Sequence, residues 1–428
     1  MSSSGDHVVS RRVVLAGLVG AGLAPAGAAL LPAPAAHASR GSAPIDQDSV
    51  DAVAARLDAE LVELRRDIHA HPETAGQEQR TASVVAGRLR AAGLAVTTGV
   101  GGHGVVGVLA GARRGRTVAY RADMDAVPPD EQIGGGGTEA AHLCGHDLHT
   151  TIGVGVAEVL ARLRHRLTGR VVFVFQPAEE SLSGAAAMLD DGVFARTRPA
   201  EIHGLHCGPF PVGQFFTTSG FGLPGLDRGT ITLTGPDAAA RAQRLAAEIG
   251  ALGTVSPPAT PADLERLVSD LQIPHGPLER FVFMRVQAAG AEVRLSYRCW
   301  PEDRYVEIRD SIRRLARSSG EATVDFPDDP FPAMISPVRE GQALHRHLRQ
   351  TLGRDRARAL RAAIPFSGED FSLFLDRVPG TFTFLGVRAP GAPIESSYPH
   401  FSAFTPDERA IGHGVRAMAG WLAKRTHA

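Results

Sequence analysis

His142-Leu143-Cys144-Gly145-His146-Asp147-Leu148-His149 sets three imidazoles, one thiol and one carboxylate around a single glycine. Cys144 and His146 are two apart, so in an extended or tightly turned segment their side chains can share one side and close on a single ion. A turn that merely hydrogen-bonds its own backbone would use the same residues. The eight positions leave both options open, and the flanking chain has to choose.

Upstream, Val105 to Ala110 and Thr117 to Ala122 read as strands joined by the basic turn Gly111 to Arg116. The second strand delivers Asp123-Met124-Asp125 to a loop stiffened by Pro128 and Pro129. Downstream, Ile152 to Leu167 has a helical pattern. Val171-Val172-Phe173-Val174-Phe175 is the continuous apolar run of a strand buried on both faces. That strand empties into Gln176-Pro177-Ala178-Glu179-Glu180, where two adjacent carboxylates repel in a poorly hydrated place that a cation would relieve. Glu201 to Leu205 repeats the pattern and ends in His206. Chemistry at the carboxyl ends of successive strands is the habit of open α/β sheets.

The remaining chain frames this region. With 428 residues there is length for two or three domains, and a formal charge of −1 gives no electrostatic reason to expect nucleic acid as a partner. Ser10-Arg11-Arg12-Val13-Val14-Leu15, an apolar run to Leu31 and Ala36-His37-Ala38 predict a twin-arginine signal over residues 1–38, cleaved before Ser39. The expected destination is extracellular or periplasmic. An uncleaved anchor is the alternative reading, and no later apolar run is long enough to span a bilayer. Three cysteines are too few for a disulfide framework; Cys207 and Cys299 read as small buried residues.

Periodic apolar positions from Val53 to Ile68 predict one helix ending at Pro72, with His69 and His71 at its exit as polar turn residues. From about Gly225 the pattern changes. Strands near Thr230, Phe281, Glu292 and Ala322 alternate with helical stripes at Ala242 to Leu252, Leu264 to Leu271 and Tyr305 to Leu315. Ligand-type residues vanish there and return afterwards, which predicts an inserted α+β unit. Residues 46–222 and 335–428 are therefore expected to form an α/β domain, a mixed sheet with helices on both faces, interrupted by a lid over 223–334. The chain closes with Ser367-Gly368-Glu369-Asp370-Phe371, a strand Thr381 to Gly386, His400 in a loop, and a last helix.

Together, Arg66 to Glu73, Tyr120 to Asp125, His142 to His149, Gln176 to Glu180, Gly204-Leu205-His206, Gly368 to Phe371 and His400 before Phe404 resemble the dinuclear metallopeptidase family of aminoacylases and N-acyl-amino-acid amidohydrolases, in its hippurate hydrolase and auxin-conjugate hydrolase branch. The resemblance implies a zinc-peptidase-like catalytic domain with a ferredoxin-like lid. It implies Cys144, His146, Glu180, His206 and His400 as ligands of two divalent ions, zinc or manganese. It further implies Glu179 as general base toward a metal-bridged hydroxide, Asp125 orienting a ligand, Arg298 binding substrate, and a homodimer through the lid as one option.

The sequence departs from that pattern in the lid. The glycine-rich turn that carries a histidine in the family is Thr234-Gly235-Pro236-Asp237-Ala238-Ala239-Ala240, without one, and the loop Gln287 to Ala291 lacks the family's asparagine and proline. His275 is one candidate replacement. The expectation is an exported amidohydrolase cleaving a small N-acyl amino acid or peptide-like amide. Amide synthesis or acyl transfer at the same site, or an exported binding protein without catalysis, are the alternatives.

Overall fold

The computed structural model describes residues 43–135 and 137–427; the twin-arginine segment and its cleavage site lie outside them. In chain order, β1 (Ala95–Val100), β2 (Gly104–Ala110), β3 (Arg113–Asp123), β4 (Thr168–Gln176), β5 (Glu201–Pro211) and β6 (Phe215–Thr217) come first. The short β7 (Gly222–Leu223) leads to β8 (Asp227–Leu233), β9 (Phe281–Ala289), β10 (Glu292–Trp300) and β11 (Ala322–Asp325). Then β12 (Met334–Ile335) pairs back with β7, and β13 (Ala357–Ala359) and β14 (Gly380–Arg388) return to the first sheet.

The large sheet has eight strands in the order β1-β2-β4-β3-β5-β14-β6-β13, with β4, β3, β5 and β14 mutually parallel. Its two faces bury different halves of each strand. Val171, Phe173 and Phe175 enter the core shared with the helices Asp58–His69, His146–Arg162 and Arg409–His427, while Val172 and Val174 enter the opposite core. That is the physical meaning of the unbroken apolar run, since neither face of β4 meets water.

Two helical expectations are corrected, and one strand arrangement is new. The first predicted helix is two, Gln47–Ala54 and Asp58–His69, broken by a turn at Ala55 to Leu57. The strands β2 and β3, consecutive in the chain, do not pair, because β4 lies between them and takes β2 antiparallel and β3 parallel. The helix expected from Ile152 begins at His146, so half of the His142 to His149 stretch is helix rather than loop.

The small sheet is antiparallel throughout, in the order β11-β8-β10-β9. The helices Ala238–Gly250 and Tyr305–Ser318 bury Leu245, Ile249, Ile308 and Ile312 against one face, where Val293, Leu295, Tyr297 and Cys299 of β10 also point. Alternation then turns Ser296 and Arg298 to the other face. In this lid the buried Asp227 accepts from Arg309 Nε at 2.8 Å, Arg309 Nη2 at 2.9 Å and the Tyr297 hydroxyl at 2.6 Å, tying strand to helix.

Asp227→Ala would leave that guanidinium buried without its counter-charge. The expected loss is about 3–5 kcal/mol of stability, read as a lower urea midpoint with early proteolytic cleavage inside the lid. An unchanged midpoint would show that the pair does not hold the lid together.

Candidate metal centre

The geometry starts at Gly145. It has φ +89°, in the left-handed region, and a Cβ there would run into the Cys207 sulfur. Glycine thus lets the chain turn from Cys144 into the helix at His146 while β5 packs directly against the turn. Cys207 is buried as expected, its thiol donating to the Cys144 carbonyl at 3.1 Å.

The strands β3, β4 and β5 bring the other groups to the same end. The pairing of Arg121 with Gly204 puts His206 level with Asp123, and Asp125 and the Glu179–Glu180 pair follow immediately beyond β3 and β4. His400 arrives from a distant loop that is sewn to this end by its backbone. Its N–H donates to the Leu143 carbonyl at 2.7 Å, its carbonyl accepts from Ile133 N–H at 2.7 Å, and its φ of +70° is a conformation that non-glycine residues rarely adopt.

The side chains converge. Cys144 Sγ, a His146 nitrogen and a Glu180 oxygen lie within 4.8 Å of one another, as do donor atoms of Glu131, Glu180 and His400, and those of His146, His149 and His206. Glu180 spans the first two groups, with Oε1 3.8 Å from His146 Nε2 and Oε2 3.3 Å from His400 Nε2. Glu179 is buried beside them, its Oε2 3.8 Å from His146 Nε2. All five residues singled out as ligands are therefore neighbours, with Glu179 at their edge.

Asp125 sets the orientation. Its carbonyl and Oδ1 accept the His146 Nδ1 proton at 3.0 and 3.2 Å, and its Oδ2 accepts the Glu180 N–H at 2.9 Å. With Nδ1 occupied, His146 turns Nε2 into the cluster, where neither that nitrogen nor Glu180 Oε1 finds a hydrogen-bond partner among the described residues although both are buried. His206 is oriented in a similar way, its Nδ1 donating to the Cys207 carbonyl at 2.7 Å. Orphaned buried lone pairs on imidazole and carboxylate, next to a thiol, are the donor set a divalent cation satisfies.

His149 is different in kind. Its Nδ1 donates to Asp123 Oδ1 at 2.7 Å and its Nε2 accepts the Cys207 N–H at 2.8 Å, so both nitrogens are spent. It props β5 rather than offering a lone pair. His69 sits 2.8 Å from Asp147 Oδ2 through Nδ1, with Arg65 Nε 2.7 Å from the same oxygen, and His71 stays exposed on the Asp67 carbonyl.

Electrostatics favour cations. Asp123, Glu179, Glu369 and Asp370 are buried together with one guanidinium, Arg121, which bonds Gln176 Oε1 and Glu369 Oε1 at 2.9 Å each, Asp370 at 3.3 Å, and Asp123. Burial raises the Glu369 carboxyl to about 7 and the Asp370 carboxyl to about 6, and the Glu179 carboxyl is raised well above its ordinary range by burial and by Glu369 and Glu180. Burial likewise pushes the Cys144 thiol up, the direction a bound cation reverses. His206 is held at about 3 by burial, which keeps its imidazole neutral and able to ligate.

His146, Glu179, Glu180, His206, Glu369 and His400 line a cleft of about 800 Å³ that the lid also lines, with Arg228, Arg285 and Arg298 from the lid sheet and Phe210, Leu271, Ile364 and Phe384 among its apolar residues. Arg298 donates weakly to the Pro224 and Gly225 carbonyls at 3.4 Å. Any Cβ on Gly368 would strike the Arg298 guanidinium, so the glycine of Ser367 to Phe371 gives clearance to a lid residue. His275 lies outside the cleft, largely exposed and bound to Glu279 at 2.8 Å, and replaces nothing. Gln287 to Ala291 folds as a tight hairpin, Ala289 opposite Glu292.

The sequence assigns no role to Glu131, Arg121 or His149, and for Asp123 it offers only that the Asp123–Asp125 pair could bind a cation or orient a histidine, as Asp123 does with His149. The Tyr120 to Asp125 motif and the Pro128-Pro129 loop were signals for Arg121, Asp123 and Glu131, but only the fold shows Arg121 among four acids. Gly145→Ala is expected to lower stability by about 2 kcal/mol or more, from the left-handed backbone and the clash with Cys207. It should also weaken zinc binding in a calorimetric titration, and wild-type affinity would show that the turn does not set the ligand geometry.

Comparison with known proteins agrees with this geometry. The model of peptidase family M20/M25/M40 matches residues 119–424. Probable hydrolase sll0100 of Synechocystis is 32% identical over 84% of this chain and 95% of its own. Thermostable carboxypeptidase 1 of Saccharolobus solfataricus is 29% identical over 84% and 93%. The crystal structure of Bacillus subtilis YXEP, a dinuclear metal-binding peptidase, superposes with a TM-score of 0.66 at 26% identity, covering 87% of this chain and 99% of that one. With its mixed eight-stranded sheet, its separate antiparallel lid sheet and its cluster of ligand-type residues, this chain belongs to the M20 family of metal-dependent amidohydrolases and peptidases.

Proposed function

We propose that the protein hydrolyses the amide bond of a small N-acyl amino acid or peptide-like substrate, holding two divalent ions, zinc or manganese, with Cys144, His146, Glu180, His206 and His400. The observation that carries the reading is the convergence of these five around orphaned lone pairs while Glu179, equally buried, stays at their edge. When bound, the two cations supply Lewis acidity toward the amide oxygen and acidify the attacking water.

The protein groups then divide the work. Asp125 holds His146 in the tautomer that faces the cleft and fixes the Glu180 backbone. Glu179 accepts the proton of the attacking water as the C–O bond forms, then donates it to the nitrogen as the C–N bond breaks, releasing a carboxylic acid and an amine. A carboxyl whose proton affinity is raised by burial suits both transfers. Arg298, lining the cleft, holds a substrate carboxylate, and the apolar wall of Phe210, Leu271 and Phe384 receives the acyl chain.

Glu179→Gln should keep two metal equivalents by elemental analysis yet lower kcat by about 10²- to 10⁴-fold; full activity would remove Glu179 from the proton path. Adding zinc or manganese to the chelated protein should raise the melting temperature, about 2.7 kcal/mol being gained at a free concentration of 100 Kd. No shift with either ion would sink the metal assignment.

Export is the third part of the proposal, supported by the twin-arginine pattern and the Ala36-His37-Ala38 site. Replacing both Arg11 and Arg12 by lysine should retain the protein inside the cell. The exported form should begin at Ser39 by N-terminal sequencing, and a mature chain starting at Met1 would refute cleavage.

A further inference from the structure

The cleft-facing side of the lid carries charge that the amidohydrolase reading does not use. In the sheet register Ser296 of β10 lies opposite both Arg228 of β8 and Arg285 of β9, so the three form one row across three strands. Arg298 is two residues further along β10 and therefore on the same face. All four line the cleft.

These guanidinium groups have no acidic partner among the described residues, which sets them apart from their neighbours. Arg294 pairs with Glu292, Arg304 with Glu307, and Arg309 with Asp227. Arg285 lies over the Phe283 ring at 5.2 Å, and Arg298 hydrogen-bonds only to carbonyls, with Glu179 the acid whose charge reaches it. Like charges one strand apart destabilise a sheet unless something anionic lies between them. Consistent with such crowding, Arg298 is held down to about 10, chiefly by burial and then by Arg285 and Arg228.

We infer that the lid recognises a second anionic group on the substrate: Arg298 holds one carboxylate, while Arg228 and Arg285, flanking the Ser296 hydroxyl, hold another. Neighbouring strands are about 4.8 Å apart, so Arg228 and Arg285 flank the row from about 10 Å, a span that two long side chains close around one carboxylate. The two anionic positions are offset along β10 by two residues, about 7 Å. That pattern fits an N-acyl amino acid with an acidic side chain, both carboxylates belonging to the amine half. The inference rests on the hydrolase reading for its reaction but not for its binding.

The test uses the full-length, metal-loaded protein. N-acetyl-L-glutamate should be cleaved with a kcat/KM about 10- to 100-fold above N-acetyl-L-glutamine, the range expected when a charged hydrogen-bonding partner is lost. The double variant Arg228→Gln/Arg285→Gln should collapse that ratio toward one, whereas Arg294→Gln, a paired arginine of the same sheet, should leave it intact. Binding of glutarate, measured by calorimetry, gives a readout independent of turnover and should weaken about 10-fold or more in the double variant. Equal kcat/KM for the two amides overturns the inference, as does glutarate binding that is absent or unaffected by the double substitution. If neither amide is cleaved while glutarate still distinguishes wild type from the variant, the anionic subsite stands and the hydrolase proposal fails.

Discussion

The centre depends on one carboxylate that would not itself touch a metal. Asp125, fully buried beyond β3, accepts the His146 Nδ1 proton and the Glu180 N–H, and its carbonyl takes a second share of His146 and the Cys144 thiol at 3.5 Å. One residue therefore fixes the position of three ligand-type groups that come from two separate chain segments. Without it, His146 could flip its ring and the Glu180 backbone would lose its tether. The orphaned lone pairs would then no longer face one another. Such supporting bonds commonly govern metal affinity almost as strongly as the ligands themselves.

The same logic extends one layer outward. Asp123 accepts from His149, and its carbonyl accepts from the Thr150 hydroxyl at 2.6 Å, so the first turns of the central helix are nailed to the end of β3. Asp147, on that helix, is gripped from the other side by Arg65 and His69. Arg121 gathers Asp123, Glu369 and Asp370, and Gln176 donates to Asp370 at 2.7 and 2.9 Å. This buried network carries more acid than base. That imbalance is costly in an empty site and favourable in one loaded with cations, so folding and metal acquisition pull in the same direction.

Much of this was legible because the chemistry lies in short stretches with fixed neighbours. Apolar runs ending in acid or histidine disclosed β3, β4 and β5, and the change of texture near Gly225 disclosed a second, antiparallel sheet. What escaped the sequence was long-range. Nothing local says that β4 inserts between β2 and β3, since pairing is decided by crossovers whose direction is written in no single segment. Nothing local separates His149 from His146 by residue type, yet a backbone N–H from β5 consumes its second nitrogen. The helix start at His146 was missed because helical periodicity becomes visible only at Ile152, whereas the true boundary is set by the conformation of Gly145.

On the proposed roles, selectivity and chemistry reside on different sheets. Glu179 and the ligand-type cluster lie near the carboxyl ends of parallel strands; the arginine row belongs to an antiparallel sheet with its own core. Gly368 is one place where the two meet, since the absence of a side chain there lets the Arg298 guanidinium lie against the segment that also carries Glu369. Glu369 bonds Arg121 and raises the proton affinity of Glu179, so the Arg298 contact proposed to position a substrate carboxylate and the charge that tunes the proposed base meet at adjacent residues, Gly368 and Glu369. On the proposed roles, a substitution at either residue would alter both which amide is presented and how readily a proton is moved, because the backbone that clears Arg298 at Gly368 leads directly into the buried Glu369.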